Sequence, residues 1–115
     1  MMPKNKGMKP LVSPMQIIQL VEDEYGVKVT KHTRKKEIIL PRHQCIYLLR
    51  KYARLSLKSI VEYFPITDHT TVINSLKKNR DMMETDIEYY TRLKKLDDEL
   101  ETYIEHKNNF LSTHK

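Results

Sequence analysis

From Met15 to Ile104 the apolar side chains of this chain return every three or four residues, the period of an α-helix with one buried face. The one alternating stretch, Val27 and Val29, is too short and too charged to join a sheet. A chain patterned in this way buries its apolar surface by laying helix on helix, so the fold class expected is all-α. Composition agrees: 115 residues with 39% hydrophobic, two glycines and no tryptophan suit one mostly helical domain.

The punctuation divides the pattern into helices. Ser13 suits an N-cap, Pro14 a first helical position and Gly26 a left-handed closing residue. The first helix therefore runs between them, with Met15, Ile18, Val21 and Tyr25 inward and Ile17 beside them. Residues 1–12 hold three lysines, two prolines and a glycine without periodicity, and are expected to form a flexible basic tail. The segment from Val27 to Leu40 reads as a short helical turn followed by a basic loop, "HTRKKE". Pro41 is expected to open the second helix, with Cys45, Leu48, Leu49 and Tyr52 as its buried stripe and Arg42, Arg50, Lys51 and Arg54 off that stripe. Ser56 caps a short third helix that buries Leu57, Ile60, Val61 and Phe64 and that Pro65 ends.

The next helix starts at Thr67 or Asp68, either of which can cap it. At about 100° per residue, Val72, Leu76 and Met83 share one side and Thr70, Asn74 and Lys77 the other. Asn79 interrupts the apolar stripe and is expected to bend or fray the helix. A long last helix places Ile87, Tyr90, Leu93, Leu96, Leu100, Tyr103 and Ile104 inward. Its stripe extends over only about two and a half heptads with drifting register, which favours packing back on the domain over a coiled-coil dimer. The expected layout is a tail over 1–12, a compact domain over 13–85, and a C-terminal helix and tail over 86–115.

Charge is unevenly placed within a net +6. From Lys28 to Lys58 ten basic residues face one acid, Glu37, a local +9; from Asp81 to Glu105 nine acids face three cations, a local −6. A basic block beside an acidic helix suggests one face for a polyanion and another that avoids it. The apolar run "EIILP" is too short to cross a bilayer, and the basic N-terminus leads into no apolar segment of a secretory signal. A cytoplasmic setting follows as the default. Cys45 is the one cysteine and lies on an apolar stripe, the five histidines have no HxxxH spacing, and His69 beside Asp68 has no evident nucleophile to activate. Neither catalysis nor a metal is expected.

"FPITDHTTVINSLKKNR" then carries the functional signal. A short helix, a proline-containing turn and a second helix with a polar first turn make a helix-turn-helix, in which the second helix enters the major groove of DNA end-on. Asp can accept from a cytosine amino group, His offers a ring donor or acceptor, and Thr adds a hydroxyl and a methyl that can meet the thymine methyl. Helix capping alone accounts for one or two of these side chains, not for His69 or the basic block upstream.

The stretch "PRHQCIYLLRKYARLSLKSIVEYFPITDHTTVINSLKK" resembles the C-terminal DNA-binding domain of the bacterial replication initiator DnaA, above all through "DHTTV" behind a Ser-Leu helix. The likeness covers roughly residues 14–85 and implies an all-helical fold, similar in its helix-turn-helix to the Trp repressor. It implies base contacts from Asp68, His69 and Thr70 in the major groove and a phosphate contact from Thr71. Lys77, on the side of its helix opposite the apolar stripe, is expected as a further phosphate contact; the resemblance also implies phosphate contacts at Arg42 and Arg50 and a minor-groove contact at Arg34. One inserted residue would hand that last role to Lys35 or Lys36. A basic loop beside a major-groove helix is, on physical grounds too, what a minor-groove arm requires.

The chain departs from the family's pattern at the turn, where Pro65-Ile66 replaces Gly-Gly, at Val61, which replaces a glycine, and at Thr67, which replaces a basic residue. Gly7 and Gly26 cannot build a GxxxxGK[ST] phosphate loop, so no nucleotide is expected, nor initiator activity from these residues alone. The partner expected is double-stranded DNA, in a regulator of replication or transcription. The competing reading is a protein-interaction module whose acidic C-terminal helix dimerises or binds a partner. Steep weakening of binding with salt separates the two.

Overall fold

The computed structural model describes residues 11–113, and most of the tail expected over 1–12 lies outside them. Five α-helices and one π-helical turn follow in order: α1 Pro14–Tyr25, α2 Lys36–Leu48, the π turn Leu49–Ala53, α3 Leu57–Val61, α4 His69–Thr85 and α5 Ile87–Thr113.

Local chemistry accounts for most of the boundaries. Ser13 Oγ accepts from the Gln16 amide and Gln16 Oε1 accepts from the Ser13 amide, a reciprocal cap that satisfies two orphan donors. Gly26 closes α1 at φ 68°, where a side chain would be strained. Ser56 caps α3 through the Ser59 amide. Asp68 caps α4 through the Thr71 amide at 3.2 Å.

The second helix begins earlier than its proline suggests. Pro41 sits inside α2, which opens at Lys36. It has no amide for the Glu37 carbonyl, a cost that proline avoids in a first turn. Burial of Ile38 and of Pro41 itself offsets this, and the first-turn amides of Ile38 and Ile39 bond back to the Lys35 carbonyl. The helix ends in the π turn, closed by Arg54 in the left-handed conformation at φ 55°. The Tyr52 carbonyl accepts the amides of Leu11 and Val12, and Val12 is buried, so these two residues belong to the body and not to the tail.

The core joins Ile17, Ile18 and Val21 of α1, Cys45 and Leu48 of α2, Leu49 and Tyr52 of the π turn, Ile60, Phe64 and Val72. Met15, expected inward, is 63% exposed, and Ile17 takes the buried place. The α5 helix folds back over this core with Tyr89, Leu93, Leu96 and Leu100. Tyr89 replaces the expected Tyr90, and Ile87 and Tyr103 face outward, because the helix starts straight after Asp86 and its phase is set by docking.

Polar ties fix that phase. Tyr25 Oη donates to Gln44 Oε1 at 2.7 Å, Gln44 Nε2 to the Tyr89 carbonyl at 3.2 Å, and Tyr89 Oη to Asn79 Oδ1 at 2.5 Å. Asn79, expected to disturb α4, is 2% exposed inside an unbroken helix: its amide faces a phenol instead of apolar side chains. Lys51 pairs with Asp97 at 2.8 Å and Lys95 with Glu24 at 2.9 Å. Tyr52 Oη lies between Asp97 and Glu101. Two acids of α5, Asp97 and Glu101, thus meet the π turn, while its cations Arg92 and Lys95 meet Glu24 of α1. Among the described residues no helix is long and apolar enough to cross a membrane.

Candidate nucleic-acid interface

At the N-terminus of α4, Thr67, Asp68, His69, Thr70 and Thr71 are all exposed. Ile66 and Pro65, half-buried, tuck the turn against the body, with the Ile66 amide bonded to the Phe64 carbonyl at 2.7 Å. The Gly-Gly turn of the resembling family is therefore met here by residues that pack. The tip is a polar cluster at the positive end of a 17-residue helix.

Two grooves flank α4. The first lies between α4 and the loop of residues 31–35, and is lined by Thr33 and Arg34 on the loop side and by Thr67, Thr71, Asn74, Ser75 and Lys78 on the other. The second, on the opposite side of α4, is lined by Arg50 and Leu57 against Ile73, Lys77 and Arg80. Arg34 and Thr71 thus meet across one groove, Arg50 and Lys77 across the other, and Asp68, His69 and Thr70 stand at the tip between them. Arg50 is exposed and its Nη1 donates to the Leu55 carbonyl at 2.8 Å, which sets the guanidinium beside the start of α3.

Arg42 differs from the expectation. It is 7% exposed, its Nε donates to the Val29 carbonyl at 2.7 Å and its Nη2 to the Lys31 carbonyl. Two of its five N–H donors are thus turned into the protein, although its side chain still lines the first groove, and burial lowers its pKa. The loop it grips is not helical: residues 27–35 form turns and extended backbone, so the short helical turn expected there is absent. Val29 is fully buried, with its amide bonded to Glu22 Oε2 at 3.0 Å. His32, Arg34, Lys35 and Lys36 are exposed, the last as the first residue of α2.

Sequence reasoning missed Lys78, Asn74, Arg80 and the His43–Ser75 pair. Lys78 was legible, being seven positions after Thr71 and so on the same helix face. His43 was not. Its Nδ1 lies 2.6 Å from Ser75 Oγ at the floor of the first groove. Burial, with smaller contributions from Lys78 and Arg42, pushes its pKa down to about 4, so the ring is neutral near pH 7. Among the described residues, no three of His, Cys, Asp and Glu gather as a metal-holding group. Cys45 is buried and its thiol is pushed up by that burial.

Residues 14–78 match the family described as bacterial DnaA protein helix-turn-helix. The chromosomal replication initiator protein DnaA of Thermus thermophilus is 40% identical over 86 residues, 72% of this chain and 20% of that protein. The same protein of Bdellovibrio bacteriovorus is 36% identical over 78 residues, 65% of this chain and 17% of the relative. That of Nautilia profundicola is 26% identical over 99 residues, 84% of this chain and 23% of the relative. The chain spans about a fifth of the length of these relatives. The family match ends inside α4 and leaves α5 outside it.

Proposed function

Because this chain belongs to the bacterial DnaA helix-turn-helix family, we propose that it binds double-stranded DNA with sequence preference, in the cytoplasm, as a regulator of replication or transcription. The observation that carries this reading is the exposed Asp68–Thr71 tip with a basic loop across one groove and a cationic rim along the other.

In the proposed mode α4 enters the major groove tip first. Asp68, whose Oδ1 holds the cap, keeps its second oxygen for a base amino group, and His69 and Thr70 meet neighbouring base edges. Arg34 enters the adjacent minor groove, where narrow A·T-rich segments concentrate negative potential. Two elements that read neighbouring grooves must straddle the sugar-phosphate strand between those grooves. The groove between Arg34 and α4 is where that strand passes, and Thr71 and Lys78 line it. Arg50 and Lys77 hold phosphates on the far side of α4. Neutralising these phosphates supplies most of the affinity and makes it salt-dependent, and the tip supplies the preference.

The test is selection from a randomised duplex library, followed by salt titrations of the selected duplex by fluorescence anisotropy. His69→Ala is expected to relax base preference at a cost of about 1–3 kcal/mol, and Arg50→Ala to weaken all duplexes alike and flatten the log–log salt slope by about one. Affinity indifferent to salt, or an Arg50→Ala variant altered in preference alone, would overturn the assignment.

A further inference from the structure

Resting on that DNA-binding reading and deepening it, we infer that Arg42 and His43 are a pair of positioning residues that set the separation between the two DNA-reading elements. They are adjacent on α2, and successive residues of a helix point about 100° apart. One therefore reaches the loop and the other reaches α4. Arg42 holds the Val29 and Lys31 carbonyls, two points on the chain leading into Arg34. His43 meets Ser75 Oγ, one helical turn beyond Thr71.

Both contacts are made at the floor of the groove through which the strand passes. The loop crest has few bonds of its own: the Lys31 amide to the Lys28 carbonyl at 3.1 Å and the Lys35 amide to Thr33 Oγ1 at 3.3 Å. Glu22 of α1 holds the base of the loop at the Val29 amide, and Arg42 of α2 reaches further along it, to the Lys31 carbonyl. A guanidinium suits the task because its planar fork can hold two carbonyls at once and stays charged when desolvated. Bonded to neutral carbonyls, it also leaves its positive charge beneath the strand. Ser75 is 4% exposed and His43 half-buried, so their contact is a part-buried strut at the groove floor.

This arrangement makes minor-groove reading depend on a residue that does not touch the minor groove. The experiment uses the whole chain with the selected duplex and two versions altered at the A·T pairs that Arg34 protects. In one, A·T becomes G·C, which adds the guanine amino group to the minor groove; in the other it becomes inosine·cytosine, which keeps an A·T-like minor groove. Wild type should tolerate inosine·cytosine there and reject G·C by roughly 5- to 150-fold. Arg42→Gln should lose that rejection to the same extent as Arg34→Ala, keep base preference at the major-groove positions, and add nothing in an Arg34→Ala background. Arg42→Lys, which lacks the fork, should lose part of it. His43→Gln, able to bond to Ser75, should retain both preferences, whereas His43→Leu should weaken both.

Uniform weakening by Arg42→Gln and Arg42→Lys across all three duplexes, with a flatter salt slope and losses additive with Arg34→Ala, would mean a direct phosphate contact and sink the inference. Preserved rejection of G·C in both Arg42 variants would sink it as well. Should Arg42→Gln fail to give the wild-type thermal unfolding profile, Arg42→Lys and the His43 pair decide the matter. If wild type and Arg34→Ala do not differ between G·C and inosine·cytosine, the minor-groove reading itself is wrong. If they differ and the Arg42 variants behave as wild type, only the positioning role is.

Discussion

Removing one oxygen atom, in Tyr89→Phe, probes how α5 is joined to the helix that carries the tip. The Tyr89 hydroxyl donates to Asn79 Oδ1 at 2.5 Å, and the two residues are 6% and 2% exposed. Without the hydroxyl, Asn79 Oδ1 loses this donor inside the protein, while its Nδ2 has only the weak acceptor Met83 Sδ at 3.5 Å. A buried acceptor left unsatisfied costs about 1–3 kcal/mol, and Asn79→Leu, which strands the phenol instead, should cost a similar ~1–3 kcal/mol. Replacing both partners leaves apolar groups facing each other, which is far less costly. The double variant should therefore fall short of the sum of the singles by about 1–2 kcal/mol, above the ~0.3–0.5 kcal/mol scatter of independent sites. Urea unfolding at pH 7 measures this cycle, in a range where burial keeps the Tyr89 phenol protonated. Additivity within that scatter, or a loss below ~0.5 kcal/mol for Tyr89→Phe, would refute the view that this bond holds α5 in phase.

Asp68→Ala should lose about 1 kcal/mol of stability with its cap and also lose base preference, whereas Asp68→Asn should melt within a few tenths of a kcal/mol of wild type but select a different base, as thermal unfolding and duplex selection will tell. His43 has a folded-state pKa lowered from 6.5 to about 4, so the unfolded chain binds the proton first as pH falls. Its stabilising effect is thus complete above about pH 6.5 and lost progressively toward pH 4, at most about 3 kcal/mol, and pH-dependent urea unfolding of His43→Gln should show a flatter curve across that window. Leu96→Ala, at a fully buried position of α5, should cost about 2–5 kcal/mol in a single unfolding transition. A loss under ~1 kcal/mol would instead describe α5 as a detachable appendage.

Much of the framework was legible in the order of residues. The caps at Ser13, Ser56 and Asp68, the closing glycine at Gly26 and the proline at the first position of α1 all appear where local signals put them. So does the stripe of Cys45, Leu48, Leu49 and Tyr52. Each of these rests on bonds or neighbours three or four positions apart, which a linear reading contains. The polar first turn of α4 was legible for the same reason, since a capped helix start leaves its first side chains outside.

Other choices belonged to the folded body alone. Pro41 reads as a helix start until Ile38 is buried ahead of it; Asn79 reads as a defect until Tyr89 faces it; and Tyr89 or Tyr90 could be the buried ring until α5 docks. Arg42 reads as one more surface cation until the Val29 and Lys31 carbonyls, 13 and 11 residues earlier, arrive around it. Short-range bonds are written in the chain's own spacing, and so its helices and its exposed tip were determined there. Which way a long polar side chain turns depends on which distant backbone groups need a partner, and only tertiary packing decides that.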